Sequence, residues 1–311
     1  ALPISPVAQG NVVWEQTYGD TLNERPGGII QTQDGNYVVG GYTESFGASG
    51  KDVYLFKING SGTVQWDYRF DNSDSFVCND LIQDQSGNLV LTGYARSQSS
   101  FSSGVDDDVY ALKTSSAGSL KWFESWRSEA AGRGITQSKR GDYHIVGRTD
   151  TLQLNQSIGF YYRLDTSGTV QSASSYSTSG NTIDFFNDVK EIDKDTLLLA
   201  GTSKYGFSSF ANASGNAVFF KVDTTGSIIW GKEYGNNNGI LGTNGDAGSN
   251  AITLNRNPQE PGKAIIYSSG VTRYGFGEDD IFQLVVEGTG EGSCFQFDFS
   301  NILVGNLNTI R

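Results

Sequence analysis

Short apolar runs, each closed by a glycine or a basic residue and then a polar turn, recur along the chain every fifty to sixty-five residues or so. Self-similarity at such a period marks a repeat architecture. Three patterns carry it. The first is a turn followed by an apolar strand that ends in glycine: Asp34 to Gly41, Ser86 to Gly93, Gly141 to Gly147 and Asp195 to Gly201, with Gly262 to Ser268 as the weakest copy. The second is a strand that ends in a base: Tyr54 to Lys57, Tyr110 to Lys113, Tyr161 to Arg163 and Phe219 to Lys221, with Phe282 to Glu287 as a fifth copy. The third is Gly-x-x-x-Trp, at Gly62 to Trp66, Gly118 to Trp122 and Gly226 to Trp230. Gly168 to Ser172 keeps that spacing but loses the Trp.

Each repeat therefore holds four short strands, a to d, typified by Ile29 to Thr32, Tyr37 to Gly41, Val53 to Lys57 and Val64 to Phe70. Strands b and c are nearly continuous apolar runs, as expected when both faces of a sheet are covered. Asp-Gly and Ser-Gly between a and b are hairpin turn residues. Four-stranded units at this period predict propeller blades. A β-solenoid is the rival, but its coils are shorter and its strands more uniform. The predicted fold is all-β: a five-bladed β-propeller forming one domain over residues 1–311. Its repeats span 19–70, 71–126, 127–176, 177–234 and 235–299. Gly10 to Trp14 resembles a d strand with no blade of its own, so segment 10–18 is expected to close the ring by completing the last blade. Ser293 to Phe299 competes for the same slot, residues 300–311 read as a tail, and a sixth blade assembled from both ends is the alternative. Trp14, Trp66, Trp122 and Trp230 are assigned structural roles.

These repeats resemble those of bacterial cell-surface propellers, with Asp34 to Thr43 matching a D-G-x-Y-V-V-G-G-Y-T strand and Asp52 to Trp66 matching D-V-Y-L-x-K-x-x-x-x-G-x-x-x-W. The likeness is close in the first two repeats and degenerate in the third and fifth. It implies the propeller fold and export, as a lipoprotein or part of an adhesin-like assembly. The d-strand Trp also resembles that of quinone-dependent dehydrogenase propellers, whose blades are shorter, and no cofactor-site residue carries over.

Composition narrows the functional classes. The formal net charge is −12, which opposes nucleic acid and anionic membrane surfaces as partners, since both need clustered Lys and Arg. No apolar run approaches the ~18 residues of a membrane span. The opening Ala1 to Pro6 reads as a mature terminus or a linker. Cys78 and Cys294 read as buried thiols or as a disulfide. His144 is the single histidine. It lies within strand b among apolar neighbours and reads as a core residue, so a Ser-His-Asp triad could be built only around it. Zinc sites of the His and Cys kind lack ligands, and no Gly-Lys-Ser or Gly-Lys-Thr phosphate loop occurs.

Chemistry is expected on the face that carries the long d–a and b–c connections, because rigid scaffolds present function on loops. The d–a loops read as Gly19 to Gly28, Asp71 to Asp80 and Gly235 to Asn250. The b–c loops set aromatics among Ser, Gly and Asn: Phe46, Phe101, Tyr205, Phe207, Phe210, Tyr274 and Phe276. Such rings suit the C–H faces of sugars, or else fix each loop to its blade. Acids recur where strand c begins, at Asp52, Asp107, Asp108, Asp279 and Asp280. They cap loop N–H groups or hold calcium, the one cofactor the pattern allows. Asp20, Glu24, Asp74, Asp80, Asp184, Asp188 and Asp246 lie on or near d–a loops and could supply the two carboxylates of a glycosidase. Three Asn-x-Ser sequons occur, at Asn59, Asn155 and Asn212. The reading that follows is an extracellular, cell-surface or periplasmic propeller without catalysis, a structural module that engages surface proteins. A lectin-like glycan binder and a glycoside hydrolase or lyase are the alternatives.

Overall fold

The structure is a computed structural model, and it describes residues 12–46, 50–70, 75–96, 107–126, 130–151, 156–176, 182–193, 195–205, 215–234, 246–256, 263–274, 278–289 and 296–298. Their architecture is all-β, a series of four-stranded antiparallel sheets. Sheet I holds β1 (Glu24–Gln31), β2 (Tyr37–Thr43), β3 (Asp52–Ile58) and β4 (Val64–Phe70). Sheet II holds β5 (Ser75–Gln83), β6 (Leu89–Arg96), β7 (Asp107–Thr114) and β8 (Leu120–Trp126). Sheet III holds β9 (Ala130–Gln137), β10 (Tyr143–Thr151), β11 (Gln156–Leu164) and β12 (Val170–Tyr176). Sheet IV holds β13 (Thr182–Asp193), β14 (Thr196–Tyr205), β15 (Gly215–Asp223) and β16 (Ile228–Tyr234). Sheet V holds β17 (Asp246–Arg256), β18 (Lys263–Tyr274), β19 (Glu278–Thr289) and the short β20 (Gln296–Asp298).

The first strands of successive sheets pack on one another from β1 through β17. The core lies between sheet faces. Val38 and Leu55 of sheet I meet Phe76, Leu81, Leu91 and Tyr110 of sheet II, and similar clusters join II to III and III to IV. In sheets I and II burial falls from the middle of the sheet to its outer edge. β3 is buried at every position, whereas β4 alternates between exposed and half-buried residues, the period-2 pattern of an edge strand with one wet face.

The sequence patterns each acquire a physical cause. The base that ends strand c pairs with an acid of its own sheet's a–b turn: Lys57 with Asp34 at 2.6 Å, Lys113 with Asp84 at 2.9 Å and Arg163 with Asp142 at 3.0 Å. The Gly of Gly-x-x-x-Trp turns the chain at positive φ, between 83° and 91° in Gly62, Gly118, Gly168 and Gly226. Only glycine takes this conformation without strain. The absence of a side chain there also lets an indole lie on the turn. Trp66 packs on Gly118 and Trp122 on Gly168, so each Trp clasps the following sheet. Trp122 Nε1 donates to the Thr166 carbonyl at 3.2 Å. The third repeat, which lacks Trp, uses tyrosines instead: Tyr176 Oη donates to Gly226 O at 2.6 Å and Tyr161 Oη to Thr224 O at 2.9 Å.

Strand a departs from the sequence expectation. Ile29 was the expected start in the first repeat, but β1 begins at Glu24, and β5 and β17 likewise begin inside stretches that read as loops. The cause is a bulge in each first strand, described below. Segment 12–18 is not hydrogen-bonded as a strand, yet Trp14 lies on Gly62 and donates to Gly60 O at 2.9 Å. Cys78 is a buried free thiol, and Cys294 lies outside the described residues.

Candidate functional site

Each first strand carries one residue more than its partner at the same point. The pairing of a with b jumps between Pro26 and Gly28, Cys78 and Asp80, Gly132 and Gly134, Phe186 and Asp188, and Ser249 and Ala251. The extra residues are Gly27, Asn79, Arg133, Asn187 and Asn250. A β-bulge re-aims its side chain and twists the strand. It also explains the glycine that recurs near the end of strand b. A Cβ at Gly41 would stand 2.1 Å from Arg25 O, at Gly93 1.8 Å from Val77 O, at Gly147 2.0 Å from Ala131 O, and at Gly201 1.9 Å from Phe185 O. No side chain fits beside the bulged backbone.

Three of the bulge residues converge. A cleft of about 530 Å³ is lined by Asn79, Arg133 and Asn187 from the bulges, and by Tyr94, Arg96, Asp107, Ala131 and Arg148 around them. It spans sheets II, III and IV at the ends where first strands begin and second strands finish, the end that carries the d–a and b–c connections. Tyr94 and Arg148 are equivalent, each one residue past the strand-b glycine. Arg133 Nη1 donates to Asn187 Oδ1 at 3.1 Å, and its guanidinium lies 5.1 Å from the Phe185 ring centre. Asn79 Nδ2 donates to Gly132 O at 2.7 Å. Arg96 holds Asp107 in a two-pronged pair, Nε to Oδ1 at 2.7 Å and Nη2 to Oδ2 at 3.0 Å.

Directly below the bulges, two acids tie one sheet to the next. Asp80 accepts the N–H of Leu81 at 2.8 Å and that of Ile135 in sheet III at 2.9 Å. Asp188 accepts the N–H of Val189 at 2.7 Å and that of Ile252 in sheet V at 3.0 Å. Burial pushes the Asp80 carboxyl up to about 6, against the opposing pull of the Ile135 N–H. Lys190 Nζ lies 2.9 Å from Asp188 Oδ1.

The remaining expected residues fall elsewhere. Phe46 leans on Tyr54, ring centres 5.7 Å apart, with the Arg69 guanidinium 4.7 Å from its ring centre. Tyr205 ends β14 and Tyr274 ends β18, while Phe101, Phe207, Phe210 and Phe276 lie outside the described residues. Asp52 is buried, Asp107 belongs to the cleft, Asp108 pairs in register with Ala95, and Asp279 and Asp280 sit in β19. Among the described residues no three His, Cys, Asp or Glu side chains gather as a metal site. Of the expected glycosidase acids, Asp80 and Asp188 serve as ties, Glu24 accepts from Thr43 Oγ1 at 2.7 Å, Asp184 and Asp246 lie in β13 and β17, and Asp74 lies outside the described residues. His144 is fully buried, with Nδ1 2.9 Å from Tyr161 Oη, and burial followed by the nearby Arg163 charge lowers it to about 3. The cleft residues other than Asp107 went unread in the sequence. The signal that could have found them is the residue fourteen positions before the strand-b glycine of sheets I to IV, which changes from Gly27 to Asn79, Arg133 and Asn187.

No protein-family model and no curated protein matches this chain. Solved structures do. An α-L-arabinanase of Penicillium chrysogenum superposes with a TM-score of 0.52 at 10% identity, over 85% of this chain and 80% of that one. An endo-arabinase of Bacteroides thetaiotaomicron gives 0.47 at 10% identity, over 86% and 96%. A β-fructofuranosidase of Bombyx mori gives 0.45 at 11% identity, over 89% and 62%. The likeness to the arabinanase establishes a propeller-like all-β fold. It also corrects the expectation of a non-catalytic structural module. The expectation of a non-catalytic structural module in a surface assembly is withdrawn, because the arabinanase that shares this fold is an enzyme. The repeats diverge in side chain while they share their backbone plan. In this geometry the divergence lies at the bulges, and it builds one asymmetric cleft in place of several equal ones.

Proposed function

We propose that this protein is an extracellular carbohydrate-active propeller, which binds a polysaccharide chain in the cleft between sheets II, III and IV and cleaves it there. The observation that carries this reading is the cleft itself. Its volume suits a few sugar units, and its lining is polar and hydrogen-bonding, with the Tyr94 ring as an apolar surface. It opens where the bulges fix side chains on the innermost strands, so the site is held by the rigid part of the fold. Names of the like-folded structures point the same way. Hydrolysis by two carboxylates has little support here, because the one acid among the described lining residues, Asp107, is engaged by Arg96.

The scaffold for this site is a closed ring of five sheets, completed by segment Val12 to Tyr18 beside β19 in the outer position of sheet V, which β20 fills only opposite Glu287 to Thr289. Support comes from equivalence. Trp14 lies on Gly62 as Trp66 lies on Gly118. Tyr18, four residues on, donates to Gly62 O at 2.7 Å, as Tyr176 donates to Gly226 O at 2.6 Å. Toward sheet I, the segment thus behaves as the last strand of a preceding sheet.

The reading is tested by incubating the purified protein with a broad panel of neutral and acidic polysaccharides and following chain length. Depolymerisation of one related group, at least tenfold slower in Asn187→Ala with an unchanged melting temperature, is the expected result. No shortening of any member, with no binding to any, would sink it.

A further inference from the structure

The residue that opens the turn between strands c and d does the same work in sheets I, III and IV. In sheets III and IV it is an acid. Asp165 accepts from Ser167 N at 2.9 Å, Ser167 Oγ at 2.6 Å and Thr169 N at 3.1 Å. Asp223 accepts from Thr225 N at 2.8 Å, Thr225 Oγ1 at 2.6 Å and Ser227 N at 2.9 Å. In sheet I the same bonds end on an amide: Asn59 Oδ1 accepts from Ser61 N at 3.0 Å, Ser61 Oγ at 2.7 Å and Thr63 N at 2.9 Å. The backbone bonds of the turns also match, Asn59 N to Thr63 O and Gly62 N to Asn59 O at 3.0 Å, as in their counterparts from Asp165 and Asp223. All that the turn asks of this side chain is to accept, which a carboxylate does more strongly than an amide. Asn59 Nδ2 makes no hydrogen bond among the described residues.

Gly60 follows Asn59, and the turn does not require a glycine there. Gly60 does not take positive φ, a Cβ on it would meet nothing within 4 Å, and the equivalent residues are Ser116, Thr166 and Thr224. Its N–H is exposed and makes no hydrogen bond among the described residues, and no side chain shields it. A main-chain nitrogen in this position can attack the carboxamide of the preceding asparagine and close an imide ring. The donors on Oδ1 stand where negative charge develops in that attack.

We propose that Asn59 is a self-modifying site, which loses its amide to water in the folded protein by way of Gly60. The bond between Gly60 N and Asn59 Cγ forms, the bond between Cγ and Nδ2 breaks, and the proton of the Gly60 nitrogen passes through solvent to the departing ammonia. Water then opens the imide. Opening at Cγ gives aspartate, which the turn holds as it holds Asp165 and Asp223. Opening at the main-chain carbonyl gives isoaspartate, which adds one carbon to the backbone and takes the turn's bonds out of register. Gly60 O and Gly62 O move with it, and these accept from Trp14 Nε1 at 2.9 Å and Tyr18 Oη at 2.7 Å. One product keeps segment 12–18 on sheet I and the other releases it. The inference does not depend on the carbohydrate reading.

The experiment is incubation of the purified whole protein in mildly alkaline buffer, with peptide mapping by mass spectrometry and enzymatic methylation of isoaspartate. The same chain unfolded in urea is the reference. The expected result is loss of the Asn59 amide at least as fast in the folded protein as in the unfolded chain, with both products present. Ser61→Ala removes one donor, so it should slow the folded protein roughly two- to tenfold, the worth of one hydrogen bond, and leave the unfolded rate unchanged. Gly60→Ala should slow both states. Asn59→Asp should keep the original melting temperature and the amide exchange of residues 12–18, whereas the isoaspartyl form, separated by chromatography, should exchange faster there. An amide that survives in the folded protein while the unfolded chain loses it overturns the inference, because the turn then protects Asn59. Equal folded-state rates with and without the Ser61 hydroxyl overturn the part given to the donors. Equal exchange in the aspartyl and isoaspartyl forms overturns the release of segment 12–18.

Discussion

The two ends of the sheets obey different rules. At the end with short turns, the same devices recur: a base paired with a turn acid, and an aromatic clasped over the next sheet's turn glycine. At the opposite end one backbone device recurs, the bulge, but its side chain changes from sheet to sheet through Gly27, Asn79, Arg133, Asn187 and Asn250. A feature that every blade repeats serves every blade. A feature that keeps its geometry and varies its chemistry is free to build one local site. In this molecule repetition marks the scaffold, and its failure at a fixed position marks the cleft.

That contrast can be broken most severely at the buried ion pair of sheet II. Lys113 and Asp84 are nearly inaccessible, and Tyr143 Oη donates to the same Asp84 oxygen at 2.8 Å. Lys113→Ala leaves a carboxylate in place without its counter-charge, so urea denaturation should show a loss of about 3–5 kcal/mol. The equivalent Lys57→Ala, whose partner Asp34 is half exposed, should cost under about 1 kcal/mol. If the two losses were equal, equivalence in sequence would outweigh burial.

Next in size is the bulge. Gly93→Ala forces a Cβ into Val77 O, and straightening or shifting the strand should cost about 1–3 kcal/mol. Because Asn79 sits on the same bulge, glycan binding should fall together with stability. In Gly62→Ala, at the short-turn end, stability should fall and binding should stay.

A smaller effect concerns pH. Asp80, raised to about 6 by burial, binds its proton more tightly in the folded state than in the unfolded one. Below an unfolded value near 4 both states are protonated, and as pH climbs from there to 6 the unfolded state ionises first. Stability should therefore decline across that window, on the order of 2 kcal/mol from this group, and stay level above it. Asp80→Asn should flatten the decline. A stability that rises between pH 4 and 6 with the same slope in both proteins would assign the dependence to other groups.

The gentlest probe addresses the ring closure. Amide exchange across Phe282 to Val286 should be slow in the full chain and faster after removal of residues 1–18. Equal exchange in both would leave the outer position of sheet V to the C-terminal segment.

The fold was legible because period, turn glycines and strand-end bases are written in residues that each blade repeats. Strands β2, β3 and β4 start and stop within two residues of the expected limits. The beginnings of the first strands were hidden, since Arg25-Pro26-Gly27-Gly28 has the composition of a turn, while a bulge needs the same permissive residues. The cleft was hidden for a related reason. Its arginines occupy positions defined by a pairing jump, and a jump in register exists only between two strands. The loop aromatics drew attention by being rare among small residues, but Phe46 serves its own sheet by packing on Tyr54.

The clasp of each outer strand over the next sheet's turn has a temporal side. Trp14 reaches a partner 46 residues ahead, Trp122 one 44 ahead and Tyr176 one 50 ahead. A ribosome emitting the chain thus delivers each clasp's partner within seconds, at about 5–20 residues per second. Every blade can be secured against its successor while later ones are still unmade. The contact that would join sheet V to segment 12–18 becomes available only after every sheet between them has been made. If the ring is closed as proposed, maturation has one slow step, and it comes last.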